Sequence, residues 1–232
     1  LCTNIIFNSF WSKNQFLMDL PPQYKKSQKL IVIHQSINKK KINLDKKQKL
    51  ISFVGKLNSA KGYDIFGKTI IKILNKYPDW CANVIGDEPR EEFNFNHKNL
   101  KMLGFKKHNE VLSNFEKTSI AVVCSRWNEP FGRTSLEASS RGCGVIISNR
   151  GGLPETITNG IILKNLNSKS LFFEIENLIQ NKNKLKKLQI DSIKNFILND
   201  NFISKKIDHY RIQNLPLKIN FNKGKDLSNL KI

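Results

Sequence analysis

Acidic residues are scarce: Asp and Glu number 19 against 39 Lys and Arg, a net charge of +20 over 232 residues. Such an excess ordinarily directs attention to polyanionic partners. Here the lysines are spread over nearly every segment in company with Asn and Ile, as expected when a genome favours AAA, AAT and ATT codons. The surplus is therefore read first as background, and second as attraction toward phosphate-bearing substrates or an anionic membrane surface. Neither a zinc-finger spacing nor a basic-aromatic RNA motif occurs, which argues against nucleic acid as a partner. Cysteine is rare too: Cys2, Cys81, Cys124 and Cys143 fall in no paired spacing, so no disulfide framework or thiolate metal site is expected. Three of them, Cys81, Cys124 and Cys143, sit in apolar strand-like or helix-end contexts and are expected to be reduced core residues of a cytoplasmic protein. No apolar run reaches the roughly 20 residues that would span a bilayer. "LCTNIIFNSFW" lacks a basic leader and a small-residue cleavage site; it is not read as a secretory signal, and the chain is expected to begin in mid-protein.

What is present is enough apolar material for a packed core: 39% hydrophobic residues, 15 of them Phe. From residue 49 short apolar runs alternate with amphipathic stretches. Strands are expected at "LISFVG" (50–55), "WCANVIG" (80–86), "LKMLGF" (100–105), "IAVVCS" (120–125), "GVIIS" (144–148) and "GIILK" (160–164). Helices are expected at 61–78, with Phe66, Ile70, Ile73, Leu74 and Tyr77 on one face, and at 108–118, 134–142 and 168–180. Strands this short, alternating with helices, predict a doubly wound, Rossmann-like α/β domain with a parallel sheet covered on both faces. Residues 48–200 are assigned to it. Residues 1–47 read as the end of a preceding domain plus a lysine-rich linker, and 201–232 as a helix and a loose tail.

In a doubly wound sheet, ligands bind outside the carboxyl ends of the strands. Two loops stand out there. "SRWNEPFGRTSLE" leads a strand into a helix through Pro130 and Gly132; the first helical N–H groups, around Gly132, Arg133 and Thr134, lack intrahelical acceptors and can hold a phosphate. Glu137, eight residues after Glu129, is expected to face the same crevice, where a carboxylate suits the vicinal diol of a ribose; Glu129 suits a second polyol. On spacing alone both are equally well read as solvated acids near a helix start. The other loop, "GKLNSAKG", carries Gly55 for close backbone approach, with Lys56 and Lys61 flanking the turn into the next helix. Lysines are everywhere in this chain, so this pair carries weight only if the two loops share one sheet edge. Together they would then form a cationic floor with acidic walls, matched to a nucleotide diphosphate carrying a sugar.

"FVGKLNSAKGYD", "VIGDEP", "LGF", "SRWNEPFGRTSLEASSRGCGVIIS" and "GGLPE" resemble, in order and spacing, the nucleotide-binding half of retaining glycosyltransferases of the GT-B fold. The resemblance runs from about residue 50 to 180, with weaker likeness in "FNSFWSKNQF" and "VIHQSI". It implies a hexosyltransferase-like enzyme of cell-envelope polysaccharide or lipopolysaccharide synthesis, working in the cytoplasm at or near the inner membrane face. The implied partners are a UDP-, GDP- or ADP-linked sugar donor and a glycan or lipid-linked acceptor. The resemblance gives Glu129 the donor-sugar hydroxyls and Glu137 the ribose. Backbone N–H groups near Phe131, Gly132 and Arg133 would meet sugar and diphosphate, Lys56 and Lys61 the diphosphate as leaving group, and Gly86 with Phe105 the base.

The chain departs from the family pattern in three respects. Lys56 stands where Arg is commoner, which replaces a fork with one ammonium. "GDEP" stands for the commoner Gly-Asp-Gly-Pro and brings Glu88 near the nucleotide cleft. Most of the family's first, acceptor-binding domain has no counterpart here, so an alternative is a non-catalytic donor-binding subunit that needs a separately encoded partner. No metal is expected, since no aspartate pair or histidine cluster demands one; His34, His97, His108 and His209 read as surface or packing residues. A glycoside hydrolase fits less well, because binding already explains both glutamates.

Overall fold

The computed structural model describes residues 4–27 and 29–213; Cys2 and the expected loose tail, 214–232, lie outside them. In chain order come β1 (Ile5–Phe7), α1 (Phe10–Met18), the short α2 (Pro22–Lys25) and β2 (Leu30–Val32), with β1 and β2 paired in parallel. There follow β3 (Gln48–Val54), α3 (Tyr63–Lys76), β4 (Cys81–Ile85), β5 (Leu100–Met102), α4 (His108–Lys117) and β6 (Thr118–Val123). Then come α5 (Arg133–Ser140), β7 (Gly144–Ser148), β8 (Ile161–Leu163), α6 (Ser168–Gln180), α7 (Lys182–Lys194) and α8 (Asp200–Gln213). Strands β3 to β8 form one parallel sheet in the order β5-β4-β3-β6-β7-β8.

Period-two alternation divides the core between the two faces. Ile120 and Val122 of β6, with Ile146 of β7, pack against Phe66, Ile70 and Leu74 of α3 and Leu171 and Ile175 of α6. Ala121, Val145 and Ile147 turn the other way, onto Val111 and Phe115 of α4 and Ala138 of α5. Each aliphatic side chain removed from water in this way contributes about 1.5–3 kcal/mol.

Tertiary contacts override the sequence pattern in several places. The expected third strand, 100–105, ends at Met102, because Gly104 turns with φ +66°. Tyr77 caps α3 at its C-terminus while packing against the same core, and its hydroxyl donates to Glu176 Oε1 at 2.9 Å. The connection between β4 and β5 carries no helix. Phe93 and Phe95 instead cover Tyr63, ring centroids 5.9 and 5.6 Å away, and Gly67 leaves the space that the Phe95 ring fills. Cys124 and Cys143 are buried as expected, but Cys81, the first residue of β4, is exposed.

The lysine-rich stretch 38–49 is more than a linker. Half-buried Lys47 donates through Nζ to the carbonyls of Phe115 (2.8 Å), Thr118 (2.7 Å) and Arg141 (2.7 Å), clamping the chain to the ends of α4 and α5. Burial lowers the Lys47 pKa, opposed by neighbouring Cys143 and Glu116. A third core joins the first segment to the last: Ile31, Ile33 and Ile37 pack with Phe131, Leu136, Phe196, Leu198 and Ile203, and Ile37 N–H donates to Leu198 O at 3.1 Å. Among the described residues no helix is long and apolar enough to cross a membrane.

Candidate active site

Strands β3, β4 and β5 run outward in one direction, and β6 returns to the other side of β3 before β7 and β8 continue. The topological switch point therefore lies between β3 and β6, where the connections from two adjacent strands diverge and leave a crevice. The loop after β3 is residues 55–62 and the loop after β6 is 124–132, the two that the sequence singles out. They are stitched by backbone. Arg126 N–H and Trp127 N–H both donate to Ala60 O, at 2.8 and 3.0 Å. Gly62, with φ +74°, lies so close to the end of β6 that a Cβ there would stand 2.0 Å from Cys124 O. Arg126 completes the junction with a bidentate pair to Asp64 at 2.6 and 2.7 Å, which holds the Asp64 carboxyl below its ordinary pKa.

Between the loops Lys61 Nζ forms an ion pair with Glu129 Oε1, to which Ser125 Oγ also donates at 3.0 Å. Gly55, Lys61, Glu129, Gly132, Arg133 and Thr134 line a cavity of about 250 Å³ at this point. The start of α5 forms one of its walls, so dipole and lysine present positive potential to the same space. Gly132, at φ +107°, adopts a backbone conformation that a side chain would resist, and its Cβ would stand 2.4 Å from Leu153 Cδ2. Phe131 is not at the surface of this cavity; it is buried in the third core, where it anchors the turn by its ring.

A second cavity of about 270 Å³ adjoins the first through Gly55 and is bordered by Lys56, Gly86, Asp87, Phe105 and Lys106. Gly86 is indispensable to it, since a Cβ there would lie 1.9 Å from Gly55 O. Phe105 is 74% exposed, so its ring is an open wall rather than a core element. Lys56 is exposed and borders this second cavity, apart from Lys61. Glu88 is engaged by Arg90 Nε and Nη2 at 2.7 and 2.8 Å and by Asn58 Nδ2 at 3.2 Å, and the Arg90 guanidinium takes its pKa down to about 2. The departure at "GDEP" thus braces the Asn58 loop with a charge that is already matched.

Glu137 is 7% exposed and borders neither cavity. Its Oε1 lies 3.4 Å from Arg133 Nε and 3.4 Å from His108 Nδ1, at the start of α4. The two glutamates therefore occupy separate compartments, with Arg133 reaching both. His108 was not distinguished from the other histidines in the sequence, because nothing along the chain announces that α4 begins opposite the first turn of α5.

The "GGLPE" segment contributes supports that sequence reasoning left unassigned. Gly152 N–H donates to Glu129 O at 2.7 Å, and Gly151, at φ +58°, passes so close that a Cβ would stand 2.2 Å from that same carbonyl. Glu155 accepts the N–H groups of Phe10 and Trp11 at 2.7 and 2.9 Å and sits 2.9 Å from His34 Nε2, capping α1. Ser9 Oγ donates to Pro130 O at 2.5 Å, so residues 9–34 also brace the loop that holds Glu129. Among the described residues no group of three or more His, Cys, Asp and Glu side chains could hold a metal ion.

Residues 34–195 match the family model described as glycosyl transferases group 1. Spore coat protein SA of Bacillus subtilis is 30% identical over 158 residues, covering 61% of this chain and 42% of that protein. The lipopolysaccharide core biosynthesis mannosyltransferase LpsB of Rhizobium meliloti is 30% identical over 132 residues, covering 53% of this chain and 37% of that protein. The chain thus spans less than half the length of these curated relatives. Among solved structures, Anabaena HepE in complex with UDP and glucose superposes with a TM-score of 0.74 at 18% identity, covering 92% of this chain and 63% of that chain. The C-terminal domain of LpcC, a glycosyl transferase group 1 family protein of Francisella tularensis, superposes with a TM-score of 0.56 at 27% identity, covering 68% of this chain and 85% of that domain.

Proposed function

The chain belongs to the group 1 glycosyl transferases, and from that membership we propose that its strand-end crevice binds a nucleotide-diphosphate sugar and activates it for transfer with retention of configuration. The observation that carries the reading is Lys61 held against Glu129 across the switch point, beside the open start of α5. In this reading Glu129 grips hydroxyls of the donor sugar. Lys61, Lys56 and the α5 N–H groups around Gly132, Arg133 and Thr134 neutralise the diphosphate as it departs. Glu137 binds the ribose diol, with Arg133 and His108 fixing its carboxylate, and the base lies along Gly86 and Phe105. Complexes of HepE with UDP support a uridine donor; the name of LpsB supports an acceptor of the lipopolysaccharide or polysaccharide class, met at the cytoplasmic membrane face. Residues 1–47 are, in the same reading, the end of an acceptor-binding domain and its connection.

Calorimetric titration with UDP, GDP and ADP and their sugars tests the reading. One nucleotide should bind saturably, and Glu137→Ala should weaken it by about tenfold or more, the effect of losing a charge-assisted hydrogen-bond pair. Equal affinities for the parent and the Glu137 variant would remove that assignment. The alternative, a donor-binding subunit completed by a separate polypeptide, is favoured by the exposed apolar side chains Ile6, Phe10, Met18 and Tyr24 on the first elements. It predicts donor binding without sugar transfer by this chain alone.

A further inference from the structure

A cavity of about 650 Å³ is neither of the two assigned above. It lies where the 36–40 segment crosses α4, α5 and the start of α8, and its wall includes Lys39, Lys40, His108, Arg133, Arg141 and Asp200. Arg133 is its link to the Lys61 cavity, since that side chain borders both. Four of these groups are permanent cations and one is an anion. Lys40 is held at 2.8 Å by Glu116, and Arg133 at 3.4 Å by Glu137, whereas Lys39 is exposed and has no ion-pair partner among the described residues.

Arg141 is the unusual member. It is only 4% exposed, its Nη1 donates to Asn38 O at 3.2 Å and Ser140 Oγ at 3.0 Å, and its Nε–H has no hydrogen-bond acceptor. Glu116 Oε1 stands 3.7 Å from that nitrogen, beyond hydrogen-bond reach. A guanidinium taken out of water with an N–H unanswered is costly unless a further acceptor completes it. Arg141 borders the cavity while that Nε is itself buried, so what the side chain offers there is a charge that Glu116, at 3.7 Å, balances only in part.

We propose that this cavity is a second oxyanion site, separate from the Lys61 cavity, in which Arg141 and Lys39 receive a phosphate group. The phosphate belongs either to a soluble ester or to a lipid headgroup, and the chemistry at Arg141 is the same for both. The site goes beyond the donor reading and stands without it.

Backbone NMR of the full chain, titrated with inorganic phosphate at constant ionic strength, tests the proposal. Saturable shifts are expected at the amides of Asn38, Asn109 and Leu112, and they should persist when UDP is added in excess. Arg141→Gln should weaken phosphate about tenfold; because that residue is buried, the exposed Lys39→Ala variant, expected to weaken it about threefold with the remaining spectrum unchanged, guards against a folding defect. Pelleting with phosphatidylglycerol vesicles that is lost in both variants assigns the phosphate to lipid. Phosphate shifts without pelleting assign it to a soluble ester. No saturable shift at these amides, displacement by UDP, or parental affinity in both variants overturns the proposal.

Discussion

Removing either member of the Lys61–Glu129 pair is expected to have unequal consequences. If Glu129 takes the proposed donor-sugar role, Glu129→Ala frees an ammonium and should leave affinity for the bare nucleotide within about threefold while abolishing sugar transfer. Lys61→Ala removes the charge proposed to meet the diphosphate and leaves a carboxylate 14% exposed without its ion-pair partner. It should weaken nucleotide binding about tenfold and cost about 1–2 kcal/mol of stability, discounted from the buried-pair value because Lys61 is one-third exposed. Equilibrium titration and urea unfolding of the two variants check both expectations. The thiols differ in the same way, by environment rather than by sequence. Burial pushes the Cys124 thiol up to about 12 and raises that of Cys143, whereas Cys81 is exposed. Among these three, only Cys81 should react with iodoacetamide in the native chain, as peptide mass mapping would reveal.

Single elements are held by particular polar anchors. Lys47 ties the 38–49 segment to α4 and α5 through three carbonyls, so Lys47→Met, which preserves length and removes the donors, should lower stability by about 3 kcal/mol in a denaturant titration. An unchanged midpoint would show that those carbonyls find water instead. The turn after β4 is governed by Glu88, whose folded pKa of about 2 lies below the ordinary 4.5. A depressed carboxyl stabilises fully above its unfolded value, and that contribution is lost as pH falls through the folded one. Acid titration of the parent should therefore loosen the Asn58 loop between about pH 4.5 and 2, a dependence that Glu88→Gln should flatten, read from the amide exchange of residues 58–62. Elements were legible in sequence where periodicity was strong: β7 and α6 match the expected 144–148 and 168–180 in full. They were not legible where tertiary partners decide, as at Gly104, which ends β5, or Phe93 and Phe95, which do the covering work of a helix.

For the molecule as a whole, ligand binding and stability are linked. A ligand that binds only the folded state at about a hundred times its Kd adds about 2.7 kcal/mol, so the correct nucleotide should raise the melting temperature and the wrong bases should not. A differential scanning series over UDP, GDP and ADP reads this directly. The described molecule closes on itself through residues far apart in sequence: Glu155 caps α1, Ser9 holds Pro130, and Ile37 pairs beside Leu198. The segment before residue 34 is thereby part of the wall behind Glu129. Substitutions in it are expected to act on the crevice.

By itself the sequence determined the parallel α/β class, the alternation of faces and the position of the two loops that lead from strand ends into helices, because hydrophobic period and helix-start residues are local properties that survive without knowledge of the fold. Only the tertiary structure decided which groups meet. Strand order brings Lys61 to Glu129 and leaves Glu137 with His108, and loop packing sets Asn58 against Glu88 and leaves an Arg141 N–H unanswered. Such pairings depend on side chains a few ångströms apart in space and up to seventy positions apart along the chain, a separation that no local pattern encodes.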